Sequence, residues 1–488
     1  MRFLRRNRRR LLRVAAVVLL SLPACHRLTF GPRPSVVVVM IDTLRADYVG
    51  AYGFAGGITD SIDSIAREGV LFRRCWASAP WTKPSIATFF TGLDPEAHRV
   101  LTERGQYHAR KRSGQHQVLD VLAPELTTMA EAFQAAGYRT AAFVANPWIR
   151  PELGFGQGFD EFHGDTGSGA APGAEAKRPG SGLLDALREY LGRRRDKAPV
   201  FLYLHFMEVH GPYDAPDEDY QAVLPSESLG PSEILPLIRF KTMPPYLQAV
   251  PWADDPEAQD LRTWRAHYGA GARQVDDYIG ELKRQLQAVG IFDDAIVIVT
   301  SDHGEQLYDH QGWDHGYSLF EDQLHVPLIV RLPQARYAGK QVESPVGLVD
   351  VLPTLLSLVG LEVPERLQGR DVTATFAGNA VPDPTEILYA TAVKWNPNAA
   401  SVRDRRYKLI RTRPAVSDQL FDLDVDPGER NDIAASHPQI VARLSAGLDA
   451  RRKLHGQVTK TPVTVEASPL PGDVRERLRA LGYLDQEK

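Results

Sequence analysis

Four residues of this chain combine type and position in a way that could do chemistry. Asp42 closes the run PSVVVVMID (34–42), Asp302 and His303 close AIVIVTSDHG (295–304), and Thr82 lies in APWTKPSIATFFTG (79–92). Two carboxylates, an imidazole and a hydroxyl make a shell for at least one hard or borderline divalent cation, Ca2+, Zn2+ or Mn2+. Such a cation lowers the pKa of coordinated water from about 15.7 to about 7 and acidifies a coordinated threonine hydroxyl in the same sense. Thr82 would then be an activated nucleophile facing a tetrahedral oxyacid ester. Each residue alone has a plainer reading: a D-H-G turn at a strand end, an aspartate cap, an ordinary threonine cap. Their joint occurrence at strand ends carries the chemical reading.

The elements that must position them follow from apolar patterning. PSVVVVMID is a β-branched run without polar alternation, which marks a strand covered on both faces, and APVFLYLHFMEVH (198–210) and AIVIVTSDHG read the same way. VLFRRCWA (70–77) and YRTAAFVAN (138–146) are further strands, alternating with helical TDSIDSIAREG (59–69), LTTMAEAFQAAG (126–137) and DYIGELKRQLQAVG (277–290). This alternation predicts an α/β sandwich with a mostly parallel central sheet, whose ligands collect at the carboxyl ends of the strands. In the stretch around Thr82, Pro84 is expected at the first helical position and Gly92 just past the end. Thr82 then caps the helix mouth, where free N–H groups and the dipole favour phosphate or sulfate.

Residues 165–182 read as a Gly/Ala/Pro-rich loop, 214–260 as a Pro- and acid-rich insertion near the site, and HARKRSG (108–114) as a solvated basic loop. After a catalytic unit spanning 34–375, short strands and a helix from about residue 437 predict a small C-terminal α+β subdomain, 376–460. The tail, 461–488, carries an amphipathic helix in SPLPGDVRERLRALGYL.

With 488 residues and 43% hydrophobic content, the chain can bury a large core. MRFLRRNRRRLLRVAAVVLLSLPAC joins seven arginines to an apolar run, Val14 to Leu22, too short to cross a bilayer, so residues 1–24 read as a signal peptide. L-P-A-C resembles a lipobox, which would lipidate Cys25 and anchor the mature chain to a membrane, and N-R-R-R-L-L-R resembles a twin-arginine signal. The expected location is an exported one, in a bacterial periplasm or cell envelope. Removing 1–24 leaves 50 basic against 61 acidic side chains, a net charge of −11, which argues against nucleic acid as a partner. Only Cys25 and Cys75 exist, so Cys75 reads as a core residue rather than half of a disulfide.

Six motifs occur in order: IDTLRADYVGAYG (41–53), WTKPSIATFFTGLDPEAH (81–98), FMEVHGPY (206–213), TSDHGE (300–305), WDHGYSLFEDQLHVPLI (313–329) and LFDLDVDPGERND (420–432). On these, the chain resembles the sulfatase family of the alkaline phosphatase superfamily from about residue 34 onward. The resemblance implies a sulfatase-like sandwich, with Asp42, Asp302 and His303 as metal ligands. Thr82 occupies the nucleophile position of the family's C-x-P-S-R or S-x-P-S-R signature. His210 and His315 match histidines that bind the transferred group or protonate the leaving oxygen. Glu208, His310 and Asn146 lie near these motifs; Asn146 is taken as a substrate contact and His310 as a surface-loop residue.

Several departures bear on the chemistry. Sulfatases proper convert the signature cysteine or serine to formylglycine, and Thr82 cannot be converted that way. Ile86 replaces the signature arginine, V-A-N-P-W (144–148) stands where a lysine and a histidine usually follow the strand, and Thr43 stands where a second acid often does. Each change removes a charge that would help hold sulfate. Lys83 either supplies a charge to the anion in place of that arginine or is a solvated surface residue. An unmodified threonine fits phosphoryl transfer better, through a phosphothreonine cleared by water. The expected activity is a metal-dependent hydrolysis of sulfate or phosphate esters of glycan, lipid or small molecule, with phosphodiesters or phosphonate esters favoured on mechanism. The alternatives are a phosphoethanolamine- or glycerophosphate-type transferase and a non-catalytic protein that binds anionic glycans or lipids.

Overall fold

The computed structural model describes residues 33–101, 118–164, 179–211, 213–223, 259–378, 387–394, 396, 398–412, 418–458 and 464–466. The segment holding Cys25, the basic 108–114 loop, most of 165–182 and 214–260, and the C-terminal amphipathic helix lie outside the described residues.

In chain order the strands are β1 Val36–Ile41, β2 Val70–Trp76, β3 Val118–Asp120, β4 Arg139–Val144, β5 Glu161–His163, β6 Val200–Phe206, β7 Ile296–Ser301, β8 Gln306–Leu307, β9 Trp313–Asp314, β10 His325–Arg331, β11 Lys340–Val342 and β12 Val346–Gly347. Nine of them build one sheet in the order β11-β2-β10-β7-β1-β6-β4-β5, with β12 also on β2. Only β10 runs against its neighbours, pairing antiparallel with β7 and β2. The sheet is therefore mostly parallel, as the sequence predicts. Every residue of β1, β6 and β7 is buried, which explains their lack of alternation: helices cover both faces, and each fully buried Val or Ile contributes about 1.5–3 kcal/mol.

The covering helices show their local causes. Asp60–Arg67 turns Ile62, Ile65 and Ala66 inward, and its first N–H groups are met by the Asp276 carboxylate, which accepts from Ser61 N at 2.9 Å and Ile62 N at 2.8 Å. Asp276 belongs to the helix Gln259–Ala288, which extends the predicted 277–290 segment toward the N-terminus. The helix Met129–Ala135 begins in a Thr128/Glu131 capping box. The helix Thr82–Thr91 is buried at all ten positions and ends at Gly92, whose φ of +63° is costly for a side-chain-bearing residue.

Beyond residue 387, β13 Leu388–Ala390, β14 Ala400–Arg403, β15 Tyr407–Arg411 and β16 Gln419–Asp422 form an antiparallel sheet, crossed by the helix Pro438–Val458. Leu444 and Leu448 of that helix pack on Val402, Leu409 and Leu420 in a separate small core. A last strand, β17 Thr464–Glu466, returns to pair with β3. Buried charges tie this sheet to the main body. Lys408 Nζ lies 2.8 Å from Glu321 and 2.9 Å from Glu429, and the Arg403 guanidinium stacks 3.3 Å above the Trp76 ring. The C-terminal helix is held by Asp94, which accepts from Arg451 Nε at 2.5 Å and pairs with His455 Nε2 at 2.8 Å, while His455 Nδ1 lies 3.1 Å from Glu96.

Burial alone would lower the His455 pKa, but the bonds to Asp94 and Glu96 override it and raise it to about 9. A raised folded-state value means that the contribution is complete below the ordinary histidine value of about 6.5 and is lost as pH rises through about 9. His455→Gln should therefore lower the melting temperature by about 2–4 °C at pH 6. The difference should vanish by pH 10, as read by thermal denaturation across pH.

Candidate active site

The register of the parallel sheet assembles the centre. β1 pairs with β7 so that Ile41 faces Ser301, and the next residues, Asp42 and Asp302, leave adjacent strands side by side. The helix beginning at Thr82 is pinned to the same place, because Ser85 Oγ donates to the Asp302 carbonyl at 2.6 Å. Asp42, Thr82, Asp302 and His303 are all 0–1% exposed. His303 Nε2 lies 3.3 Å from Thr82 Oγ1, 3.3 Å from Asp302 Oδ2 and 3.8 Å from Asp42 Oδ1. The two shorter separations match the edges, about 3.3–3.6 Å, of a tetrahedron built on metal–ligand bonds of about 2.0–2.2 Å, and the third is slightly longer.

Three further observations fit this cluster to a cation. Asp42 Oδ1 and Asp302 Oδ2 have no hydrogen-bond partner among the described residues, although both are buried. His303 Nδ1 donates to the Gly304 carbonyl at 2.8 Å, which leaves Nε2 as the lone-pair nitrogen facing the carboxylates. Burial lowers the His303 pKa and keeps the ring neutral. For Asp42, burial acts upward, but the bond from His205 and the nearby His210, His205 and His303 imidazoles prevail and hold it below the ordinary carboxylate range. Asp302 is pushed well above that range by burial and then by the Asp42 charge. Two carboxylates in one dry pocket do not both ionise without a cation.

The surrounding backbone is built to keep this geometry. Thr43, a β-branched residue, sits at φ +61°, a conformation that costs about 1–3 kcal/mol. It is held there by its N–H, which donates to Asp302 Oδ1 at 3.2 Å, and by its carbonyl, which accepts from Tyr268 Oη at 2.6 Å. Tyr268 Oη also accepts from Arg45 N at 2.8 Å. Gly304 has no alternative, since a Cβ there would collide with the Asp322 carbonyl.

The helix boundary differs from the sequence expectation. Trp81 occupies the cap position with extended backbone, Thr82 is the first helical residue, and Pro84 is the third. Proline is tolerated there because the first four N–H groups of a helix have no partner within it. The Thr82 hydroxyl is thus not a cap; it turns into the pocket toward His303.

The remaining candidates separate. His315 and His210 join the centre: the His315 ring centroid lies 4.5 Å from His303 and 5.1 Å from His210. His210 Nδ1 donates to the Gly211 carbonyl at 2.5 Å. Asn146 also joins, with its Nδ2 donating to Asp42 Oδ2 and its Oδ1 accepting from Trp148 N at 2.7 Å. Asn146 therefore holds the Asp42 carboxylate in place. Glu208 spends its carboxylate on the N–H groups of Gly180, at 2.7 Å, and Met207, at 3.1 Å. Lys83 is not a solvated surface residue: it is 1% exposed, with Nζ 5.3 Å above the Trp148 ring. Burial lowers its pKa to about 8, opposed by Asp120. His310 is not a free loop residue either, since Nδ1 lies 2.8 Å from Asp322 and the ring stacks on Phe320 at 3.8 Å. Cys75 is buried in β2, as expected.

Two residues of the centre escaped the sequence reading. His205, inside β6, brings Nε2 within 3.5 Å of Asp42 Oδ2 and meets the Tyr203 hydroxyl with Nδ1 at 3.1 Å. Its only signal was a polar residue in a fully apolar run. Glu305, wholly buried, lies 3.3 Å from His315 Nδ1, and Asp314 Oδ1 is 3.0 Å from the same nitrogen. Glu305 is visible as the last residue of T-S-D-H-G-E, but its partner is fixed by the β8–β9 hairpin.

Comparison with known proteins places this geometry among relatives. The family model described as Sulfatase matches residues 34–361, and that of the C-terminal region of N-sulphoglucosamine sulphohydrolase matches residues 309–454. Arylsulfatase K of Bos taurus is 31% identical over a stretch covering 39% of this chain and 37% of that protein. A Δ4,5-hexuronate-2-O-sulfatase of Bacteroides thetaiotaomicron is 23% identical over 93% of this chain and 95% of its own length. The crystal structure of a phosphonate monoester hydrolase of Agrobacterium radiobacter shares the fold with a TM-score of 0.68, at 24% identity over 90% of this chain and all of that one.

A cradle of this kind should be stabilised by its ion. After chelation, saturating divalent cation should raise the melting temperature, since a ligand at 100 times its Kd stabilises by about 2.7 kcal/mol. Asp42→Asn and Asp302→Asn should abolish that rise and the bound metal found by elemental analysis.

Proposed function

We propose, on the premise that this chain belongs to the sulfatase family, that it is a metal-dependent hydrolase of phosphodiesters or phosphonate monoesters ahead of sulfate esters, with Thr82 as nucleophile. The observation that carries this reading is the Thr82 hydroxyl, 3.3 Å from His303 Nε2 within the cradle of Asp42 and Asp302. Asp42, Asp302, His303 and Thr82 would hold a divalent cation, whose charge would acidify the Thr82 hydroxyl and offset the negative charge of the ester. Zn2+ or Mn2+ suits a donor set that includes an imidazole better than Ca2+, which takes six to eight oxygens.

The steps by the chain's own groups are few. Thr82 Oγ1 attacks phosphorus in line with the departing alcohol and loses its proton to solvent. The departing oxygen takes a proton from His315, whose Nδ1 is oriented by Glu305 and Asp314, so that Nε2 is the donating atom; His210 is placed beside it. Water then attacks the phosphothreonine and restores the hydroxyl. Asn146 and His205 hold Asp42 in its rotamer throughout.

The favoured phosphorus ester follows from the missing charges. A sulfate monoester held without the signature arginine and the paired loop cations lacks the donors that a formylglycine enzyme applies to it, and a threonine sulfate has no second hydroxyl through which to expel sulfate. The names of relatives support both substrate classes: a hexuronate sulfatase by sequence and a phosphonate monoester hydrolase by fold. We further propose export to a cell envelope by the 1–24 signal and membrane anchoring through Cys25, with the anionic ester of a glycan, lipid or small molecule as substrate.

Three measurements test this. On a panel of aryl sulfate, phosphate monoester, phosphodiester and phosphonate monoester, the wild type should turn over the last two fastest. Thr82→Ala should lose about 10⁴-fold or more while keeping its metal. A sulfate-only activity would refute the phosphorus preference, and an unaffected Thr82→Ala would refute the nucleophile. Glu305→Gln should slow alkyl esters by about 10²-fold and nitrophenyl esters far less, because only the poor leaving group needs the proton. An equal loss on both would remove Glu305 from proton donation.

A further inference from the structure

Two cationic atoms near the centre lack any partner among the described residues: Lys83 Nζ and Arg150 Nη1. Lys83 is 1% exposed and Arg150 4%. An unpaired cation taken out of water carries a large desolvation penalty, and stacking on one aromatic ring does not offset it. Lys83 meets only the Trp148 face, at 5.3 Å, while the carboxylate acting on it from a distance, Asp120, already accepts from Leu101 N at 2.6 Å. Arg150 uses Nε on Glu152, at 2.7 Å, and leaves Nη1 unspent.

The two are linked through Trp148, whose ring Lys83 meets and which stands two residues before Arg150. Lys83 follows Thr82 directly on its helix. Trp148 and Arg150 lie on the loop that leaves β4 through Asn146, the residue bonded to Asp42. That loop is stitched to the segment after Asp120 by the bond from Leu122 N to the Leu153 carbonyl, 3.0 Å. The pair therefore adjoins the reacting centre without contributing to the cation cradle.

We propose that Lys83 and Arg150 form a second oxyanion subsite beside the Thr82 centre, which binds a carboxylate, sulfonate or phosphate group carried on the alcohol portion of the substrate. The preferred substrate is then an ester with at least two separated negative charges. This rests on the reading of the Thr82 centre as an oxyacid ester site and adds to it the class of alcohol.

The test uses phosphonic acids, which have no ester to cleave, so that an absence of turnover leaves the result readable. Phenylphosphonate, 3-carboxyphenylphosphonate and 3-sulfophenylphosphonate are titrated calorimetrically into the metal-loaded full chain. The second anion should tighten binding at least tenfold in the wild type, and the carboxylate and sulfonate arms identify which anion is preferred. Lys83→Met, which keeps the packing on Trp148, and Arg150→Met should each erase the gain, and Lys83→Arg should retain it. The gain is read as a ratio within one protein, so a general loss of fold cancels. Equal affinity for the mono- and dianions in the wild type, binding of none of them, or a gain that survives in either methionine variant would overturn the proposal.

Discussion

Asp42 and Asp302 are forced together by the parallel register of β1 and β7, in a place where no side chain among the described residues neutralises both. That juxtaposition is the constraint from which the rest of the site follows. Like charges in a dry pocket push one proton affinity up and leave the other down, which is the behaviour of this pair. A divalent cation removes the conflict at a stroke, and the neutral His303 nitrogen and the Thr82 hydroxyl are oriented to complete its shell. On the proposed reading, the hydroxyl would become a nucleophile because of where two strands end, not because of any property of threonine.

Distant parts of the chain serve that arrangement. The segment from Gly304 to Leu324 carries Glu305 and His315, and it is held from behind. Gln323 accepts from Gly316 N at 2.7 Å, Gly304 N donates to the Gln323 carbonyl at 2.8 Å, and Lys394 Nζ donates to the His315 carbonyl at 3.1 Å. Glu321, next in that segment, is buried against Lys408 and Arg403 of the C-terminal sheet. The charges burying Glu321 are expensive to desolvate and strongly destabilising to break singly, which makes them better at fixing register than at adding stability. The C-terminal sheet thus helps set the position of the His315 loop.

Much of this was legible in the chain because doubly covered strands read as unbroken apolar runs, and the polar residue ending such a run marks the ligand-binding edge. Asp42, Asp302 and His303 were found that way, and the α/β class with them. His205 was not, since a histidine inside FLYLHF looks like a core residue until the register sets it beside Asp42. The helix at Thr82 was placed two residues late because Pro84 satisfies more than one of the partnerless positions in a first turn. The burial of Lys83 was beyond reach, as its cover comes from Trp148 on a loop remote in sequence. Local patterning reports which residues end elements; it carries little about which side chains meet across them.

The site also carries several features that cost folding free energy. Thr43 is held in a left-handed conformation, two carboxylate oxygens and two cationic nitrogens lack partners, and Glu305 is wholly buried. Each costs folding free energy, and each persists because the apolar sheet beneath it offsets the loss. Their signs are opposite: unspent negative charge at Asp42 and Asp302, unspent positive charge at Lys83 and Arg150, among the described residues. On the proposed reading, a cation would answer the first pair and an anion on the substrate the second, so the ester would be held by more than its scissile group.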